Sequence, residues 1–218
     1  MTRENLKEVL NKHAQWLAKM EEGETADLSG EDLRDVDLSY ANLFMANFCE
    51  AALIGADLRK VNLAQAYLSK ADLSYTYLGG ANLCGADFSE AIFCNSDLTR
   101  ADLRDANLSG AQFNTADLAE ADLRGANMYE ADLRCANLCC ADLRNANLCN
   151  ANFGWATLNG ANLAGADLRG ARLNDAPLFN ANLNGVKMYK ATMDEAALTQ
   201  KQRDSIIICK PGQDDICD

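Results

Sequence analysis

Carboxylates dominate the groups in this chain that could do chemistry, and they recur at fixed spacing. From Asp27 to Asp167, thirteen Asp occupy the same position of a five-residue period. Paired carboxylates can act as general acid and base, but only where a pocket pushes their pKa values apart. A period that deals out Asp uniformly makes no such distinction. His13 is the only histidine, so any Ser–His or Cys–His mechanism would have to pass through it. Its apolar-spaced neighbours mark it instead as a structural histidine on a helix. The nine cysteines stand at 49, 84, 94, 135, 139, 140, 149, 209 and 217, with no C-x-x-C pair and no two of them twenty apart. That arrangement suits reduced surface thiols better than a metal site or a disulfide framework. No glycine-rich phosphate loop occurs, and Pro211-Gly212 reads as a turn. The expectation is a protein without catalysis, metal or cofactor.

Charge narrows the partners. Against 20 Lys and Arg stand 32 Asp and Glu, a formal net charge of −12. A chain this acidic has no basic face with which to neutralise phosphates, so direct nucleic-acid binding is not expected. Two sets of Asp are spaced by twenty. Asp102, Asp122 and Asp142 are each followed two residues later by Arg104, Arg124 and Arg144. Such a ladder neutralises itself and adds little stability, because exposed pairs are weak. Asp37, Asp57, Asp97 and Asp117 are interrupted by Tyr77, and only Arg59 stands at the corresponding basic position. This second set has two readings: Asp retained for its turn-forming side chain, or a negative stripe that attracts a basic partner.

The element that must position these residues follows from the period. From Ala26 to Gln200 the sequence divides into thirty-five units of five, with no phase break. Every unit has a Leu, Phe or Met centre, from Leu28 to Leu198. Ala stands two residues before the centre in 29 units, and Asp or Asn one residue before it in 24. Five matches neither the 3.6 of a helix nor the 2 of a flat strand. Ala and the centre share parity and point to an axis, while the other three positions face out or form a corner. A corner would explain Asp and Asn, whose short side chains bond nearby backbone.

The run Ala101-Asp102-Leu103-Arg104-Asp105-Ala106-Asn107-Leu108-Ser109-Gly110 resembles the A(D/N)LXX signature of pentapeptide repeat proteins. The resemblance implies an all-β fold, a right-handed quadrilateral β-helix with four units and twenty residues per coil, here about nine coils. The sequence supports twenty independently. Sorted by twenty, the non-Leu centres fall in two adjacent columns: Phe48, Phe88, Met128 and Met188, then Phe93, Phe113, Phe153 and Met193. Layered packing in a solenoid core would produce that segregation. At strand spacing the rod would be roughly 40 Å long.

Solenoid ends need covers. Residues 1–24 read as an N-terminal capping helix: Leu6, Val9, Leu10, His13, Leu17 and Met20 recur at helical spacing, Thr2 can cap the start and Gly23 can stop it. Residues 25–200 form the solenoid, and 201–218 a short C-terminal cap. There Ile206, Ile207 and Ile208 are candidates for the cap core or for a dimer contact, leaving a monomer or a homodimer joined through an end. No long apolar run suggests a membrane span or secretory signal, which favours the cytoplasm. The expected function is a non-catalytic, protein-binding scaffold presenting a rigid acidic surface. The family's quinolone-resistance members imply the alternative, a DNA mimic that binds a type II topoisomerase such as DNA gyrase or topoisomerase IV.

Overall fold

The computed structural model of the chain describes residues 1–193 and 198–206. Each bridged residue pairs in parallel with the residue twenty positions on: Asp27 with Asn47, Asp32 with Ala52, Asp37 with Asp57, Asn42 with Asn62, and so to Asp167 with Lys187. Short strands β1 (Arg172–Leu173) and β2 (Thr192–Met193) pair in the same register. Bridges recur every five residues, so a twenty-residue coil has four faces. We call them A, B, C and D, with first centres Leu28, Leu33, Leu38 and Leu43.

One unit shows how the backbone is satisfied. Ala101 N–H donates to Leu98 O (3.0 Å), closing the preceding turn. Asp102 N–H reaches back to Ala81 O (2.9 Å), while Leu103 and Asp105 N–H reach forward to Asp122 O (2.7 Å) and Arg124 O (3.0 Å). The Arg104 N–H faces no carbonyl of either neighbouring coil and donates to Asp102 Oδ1 (3.2 Å). The same side-chain acceptor serves Ala119 from Asp117 and Cys139 from Asn137. Asp and Asn therefore lie in the extended, bridged stretch, not at the corner where the period alone puts them. The corner is the pair of residues after the centre. The second of these has positive φ, +58° at Arg100 and +59° at Glu120, as in a type II turn. Most such positions are not glycine, at a left-handed cost of roughly 1–2 kcal/mol each. The ladder bond that the same residue donates to the next coil offsets it. Glycine eases this turn at Gly170, where φ is +69° and a Cβ would lie 2.2 Å from Asn150 Oδ1, so that the Asn150 side chain would have to turn away.

The inward Ala and centre positions fill the core, nearly all of them inaccessible to solvent. The two aromatic-bearing columns do stack: Phe93 lies parallel to Phe113 at 4.7 Å, and Phe88 is tilted against Phe93 at 5.2 Å. Where Thr76 and Ser96 replace Ala, each buried hydroxyl donates to the carbonyl three residues before it, Leu73 O and Phe93 O. No buried donor is stranded by those exceptions.

At the N-terminal end lies α1 (Arg3–Leu17), with Thr2 Oγ1 accepting the Asn5 N–H. Leu6, Val9 and Leu10 pack on the core. The helix ends before Gly23, and Lys19 takes the positive φ of its C-terminal turn. Gly23 has a different role, since the chain there passes so close that a Cβ would collide with the Trp16 backbone. Met20, placed on the apolar side by spacing, is exposed because the helix has already stopped. His13 is buried, stacked on Trp16, and its Nδ1 accepts the Ala26 N–H at 3.0 Å. At the other end, α2 (Gln200–Ser205) starts in a capping box between Thr199 and Gln202. The Gln202 amide donates to Leu178 O and Ala181 O, two carbonyls of the final coil edge. Ile206 is partly buried against the core; Ile207 and Ile208, like Cys209 and Cys217, lie outside the described residues.

Two measurements check this packing. Phe113→Ala should cost about 3–5 kcal/mol in denaturant unfolding, by lost transfer energy and the cavity left in the stack. Ala119→Ser, an outward change, should stay within about 0.5 kcal/mol. For His13, burial lowers the pKa below its ordinary 6.5, so the folded state binds fewer protons than the unfolded one. Its contribution is present above the unfolded value and is lost as pH falls from there through the lowered folded value. Trp16 fluorescence should therefore report easier unfolding of the α1 end at about pH 5.5 than at about pH 7.5. His13→Gln should remove that difference, and its persistence would assign the effect elsewhere.

Candidate protein-binding face

The four faces share a backbone and differ in what they display. Face D carries the Asp–Arg ladder. Arg104, Arg124 and Arg144 each fork onto the Asp two residues earlier, with Nη2 to carboxylate distances of 2.6–2.7 Å. The first two forks also lean toward the next coil, Arg104 Nε lying 3.8 Å from Asp122 and Arg124 Nε 3.8 Å from Asp142. The hydrogen bonds from Arg104 and Arg124 hold Asp102 and Asp122 below the usual carboxylate range. On face B, Arg34 does the same for Asp32, holding it down to about 2. Face A ends in a more buried pair. Burial pushes Asp167 up, but Arg169 at 2.8 Å more than compensates and leaves its pKa lowered.

Face C is organised differently. The structure stacks Asp37, Asp57, Tyr77, Asp97 and Asp117 on one continuous ladder. Asp57 forks with Arg59. Asp37 accepts both the hydroxyl and the N–H of Ser39, which lowers its pKa, with the Asp57 charge opposing. Asp97 accepts the Thr99 N–H (2.9 Å); Asp117 accepts the Ala119 N–H (3.0 Å) and the Asn137 amide (2.9 Å). Among the described residues no Lys or Arg lies within ion-pair distance of Asp37, Asp97 or Asp117. In all four Asp of this stripe Oδ1 accepts the N–H two residues on, which is the turn-holding role of the side chain. Asparagine amides run between coils elsewhere, as Asn62 to Asn42 and Asn82 to Asn62 on face D.

Exposed aromatic residues escaped the sequence reading. Tyr40, Tyr75, Tyr77, Trp155 and Phe179 all stand in solvent. Tyr77 and Phe179 belong to face C, Tyr75 and Trp155 to the corner before it, and Tyr40 to the corner after it. Sorting outward residues by twenty aligns only Tyr75 with Trp155; the others fall in different columns, which the corners bring to one side.

The thiols behave mostly as their outward positions require. None of the seven described cysteines is disulfide-bonded, and Cys135 and Cys140 are exposed. Cys149 corrects the surface reading, being buried beside the Asp167–Arg169 pair. Among the described residues no cluster of His, Cys, Asp and Glu could hold a metal ion, and no helix is long and apolar enough to cross a membrane.

A family model for pentapeptide repeats matches in eight copies, over residues 25–51, 46–85, 81–118, 111–148, 136–175 and 161–200. No curated protein matches the chain. Among solved structures, HetL, a pentapeptide repeat protein involved in heterocyst differentiation regulation in the cyanobacterium Nostoc sp. strain PCC 7120, is 34% identical. That match covers 82% of this chain and 89% of HetL, with a TM-score of 0.37. QnrB1, a plasmid-mediated fluoroquinolone resistance protein, is 16% identical over 84% of this chain and 90% of its own, with a TM-score of 0.49. Both TM-scores are below one half, so neither overlay carries a residue-by-residue correspondence.

The role of the outward Asp in the turn is open to direct test. Asp97→Ala should lower unfolding stability by about 0.5–1.5 kcal/mol through loss of the Thr99 N–H acceptor. Asp97→Asn should leave it within about 0.5 kcal/mol, because Asn supplies the same oxygen. Equal losses would mean that the carboxylate charge, not the acceptor, is what the fold uses.

Proposed function

The chain belongs to the pentapeptide repeat family, and on that premise we propose that it is a non-catalytic protein-binding scaffold, a rigid acidic rod with face C as its contact surface. Membership implies the right-handed quadrilateral β-helix, a form whose core is filled by its own repeat and whose outward side chains are held at coil spacing. The observation that carries the reading is the contrast between two faces of identical backbone. Face D neutralises its Asp with forked Arg, whereas Asp97 and Asp117 on face C accept only neutral N–H donors. An uncompensated row of charge steers and orients a basic protein surface.

A DNA mimic acting on a type II topoisomerase is the second reading, favoured by the net charge of −12. Magnitudes weigh against it. B-DNA over ~40 Å carries about 24 charges; residues 26–200 hold 23 acidic and 13 basic residues, a net of −10 and under half that density. The thirty-five units also run without an inserted loop.

Capture from the native cytosol at low and at high salt tests the scaffold. The expected result is a protein retained at low salt and released as salt screens the stripe; failure to retain any protein contradicts it. A gyrase supercoiling assay, with and without a quinolone, separates the second reading. Neither inhibition nor protection is expected at micromolar protein, and either would move the assignment to the mimic.

A further inference from the structure

Exposed aromatic rings scattered singly over a surface need no explanation. Here they are not scattered. Of the Tyr, Trp and Phe side chains that stand exposed among the described residues, only Tyr67 lies away from face C and its two corners. Tyr77 is 54% exposed and Trp155 64%. Between the coils that carry these two, the face is a low floor whose outward residues after each centre are Gly79, Thr99, Ala119, Cys139 and Asn159. The long side chains there do not cross it: Arg100 pairs with Glu120 along the corner at 2.8 Å. Asp97 and Asp117 rise from the floor without a cationic partner among the described residues.

We propose that face C between Tyr77 and Trp155 docks a basic α-helix of a partner protein, laid along the rod axis. Its Lys or Arg side chains meet Asp97 and Asp117, and its apolar flank rests on Tyr77 and Trp155. This rests on the scaffold reading and specifies its surface and occupant. Charge sign excludes a nucleic acid. An added β-strand needs a free sheet edge, but the ladder donors of this face, Asp97, Leu98, Arg100, Asp117, Leu118 and Glu120, already reach carbonyls of neighbouring coils. Dimensions favour a helix. Adjacent coils are about 4.8 Å apart, and helical residues at i and i+3 are about 4.5 Å apart along the axis, so cations at that spacing rise in step with Asp97 and Asp117. Same-side residues of an extended strand would fall about 6.6 Å apart and lose register. Four coils separate the two aromatic positions, about 19 Å, the length of roughly 13 helical residues. Tyr and Trp are the side chains that interfaces use as anchors, and both faces of their rings accept guanidinium groups.

The test uses the full chain and two synthetic peptides of about 16 residues with identical composition. In one, Arg recurs at i, i+3 and i+7 beside a Leu flank. In the other the same residues are scrambled so that no two Arg share a face. Titration calorimetry, with Trp155 fluorescence assigned by Trp155→Phe, should show the first peptide binding about tenfold or more tightly than the second. Asp97→Asn with Asp117→Asn should weaken it about tenfold, as should Tyr77→Ala. The Asn pair keeps both turn acceptors, so its fold is preserved. Asp102→Asn with Asp122→Asn on face D should leave binding unchanged. Equal affinity for the two peptides, no binding of either, or an equal loss from the face D pair overturns the proposal. A cytosolic partner retained in full by both face C variants also overturns it, while leaving the scaffold reading intact.

Discussion

One backbone N–H in every five decides much of this sequence. Winding the chain in twenty-residue coils gives four of the five amides of a unit a carbonyl acceptor, within the turn or on a neighbouring coil. The fifth, on the residue after the centre, points to no carbonyl, and the side chain two residues before it is the nearest available acceptor. Asp and Asn have an oxygen at the right reach, as Arg104 on Asp102 and Ala119 on Asp117 demonstrate. The acidity of the rod is therefore in large part a consequence of folding. Net charge alone says little about function here. What distinguishes the faces is whether a cation accompanies the carboxylate, and that varies independently of the backbone.

Inside the rod, the same periodicity sets a different constraint. Each centre sits above the residue twenty before it, so a change in one coil is felt by its column. Phe93 and Phe113 can stack in parallel because both occur in one column, and Phe88 reaches them from the adjacent one. Inward positions that break the Ala rule keep their polar atoms satisfied locally, Thr76 and Ser96 through carbonyls three residues back. His13 is the exception at the N-terminal end. Its Nδ1 is engaged by Ala26, but Nε2 is buried with no hydrogen-bond partner. A buried donor left unpaired costs stability, and protonation of Nδ1 would also remove the acceptor of the Ala26 N–H.

The twenty-residue coil was legible because its signal is long-range and redundant: eight non-Leu centres sort into two columns with no exception. The placement of Asp was not, because parity tells which way a side chain points but not where its oxygen finds a donor. The end of α1 was misplaced for a related reason. Gly23 looks like a helix stop, whereas Lys19 takes the left-handed turn and Gly23 serves a close backbone approach to Trp16. At the candidate face, the sequence showed Asp37, Asp57, Asp97 and Asp117 as a set, since they share one position of the repeat. It did not show that Tyr40, Tyr75, Trp155 and Phe179 border them. Those residues occupy different positions of the unit, and only the geometry of the corner brings them to one side.

Amide hydrogen exchange reads the central constraint directly, residue by residue. If Asp and Asn are present as acceptors for the fifth amide, Arg104 and Ala119 should exchange about tenfold or more slowly than Gly79 and Cys94. These last two follow Tyr77 and Ile92, which offer no such oxygen. Equal exchange at the four amides would contradict that role and return the acidic stripe to a question of charge alone.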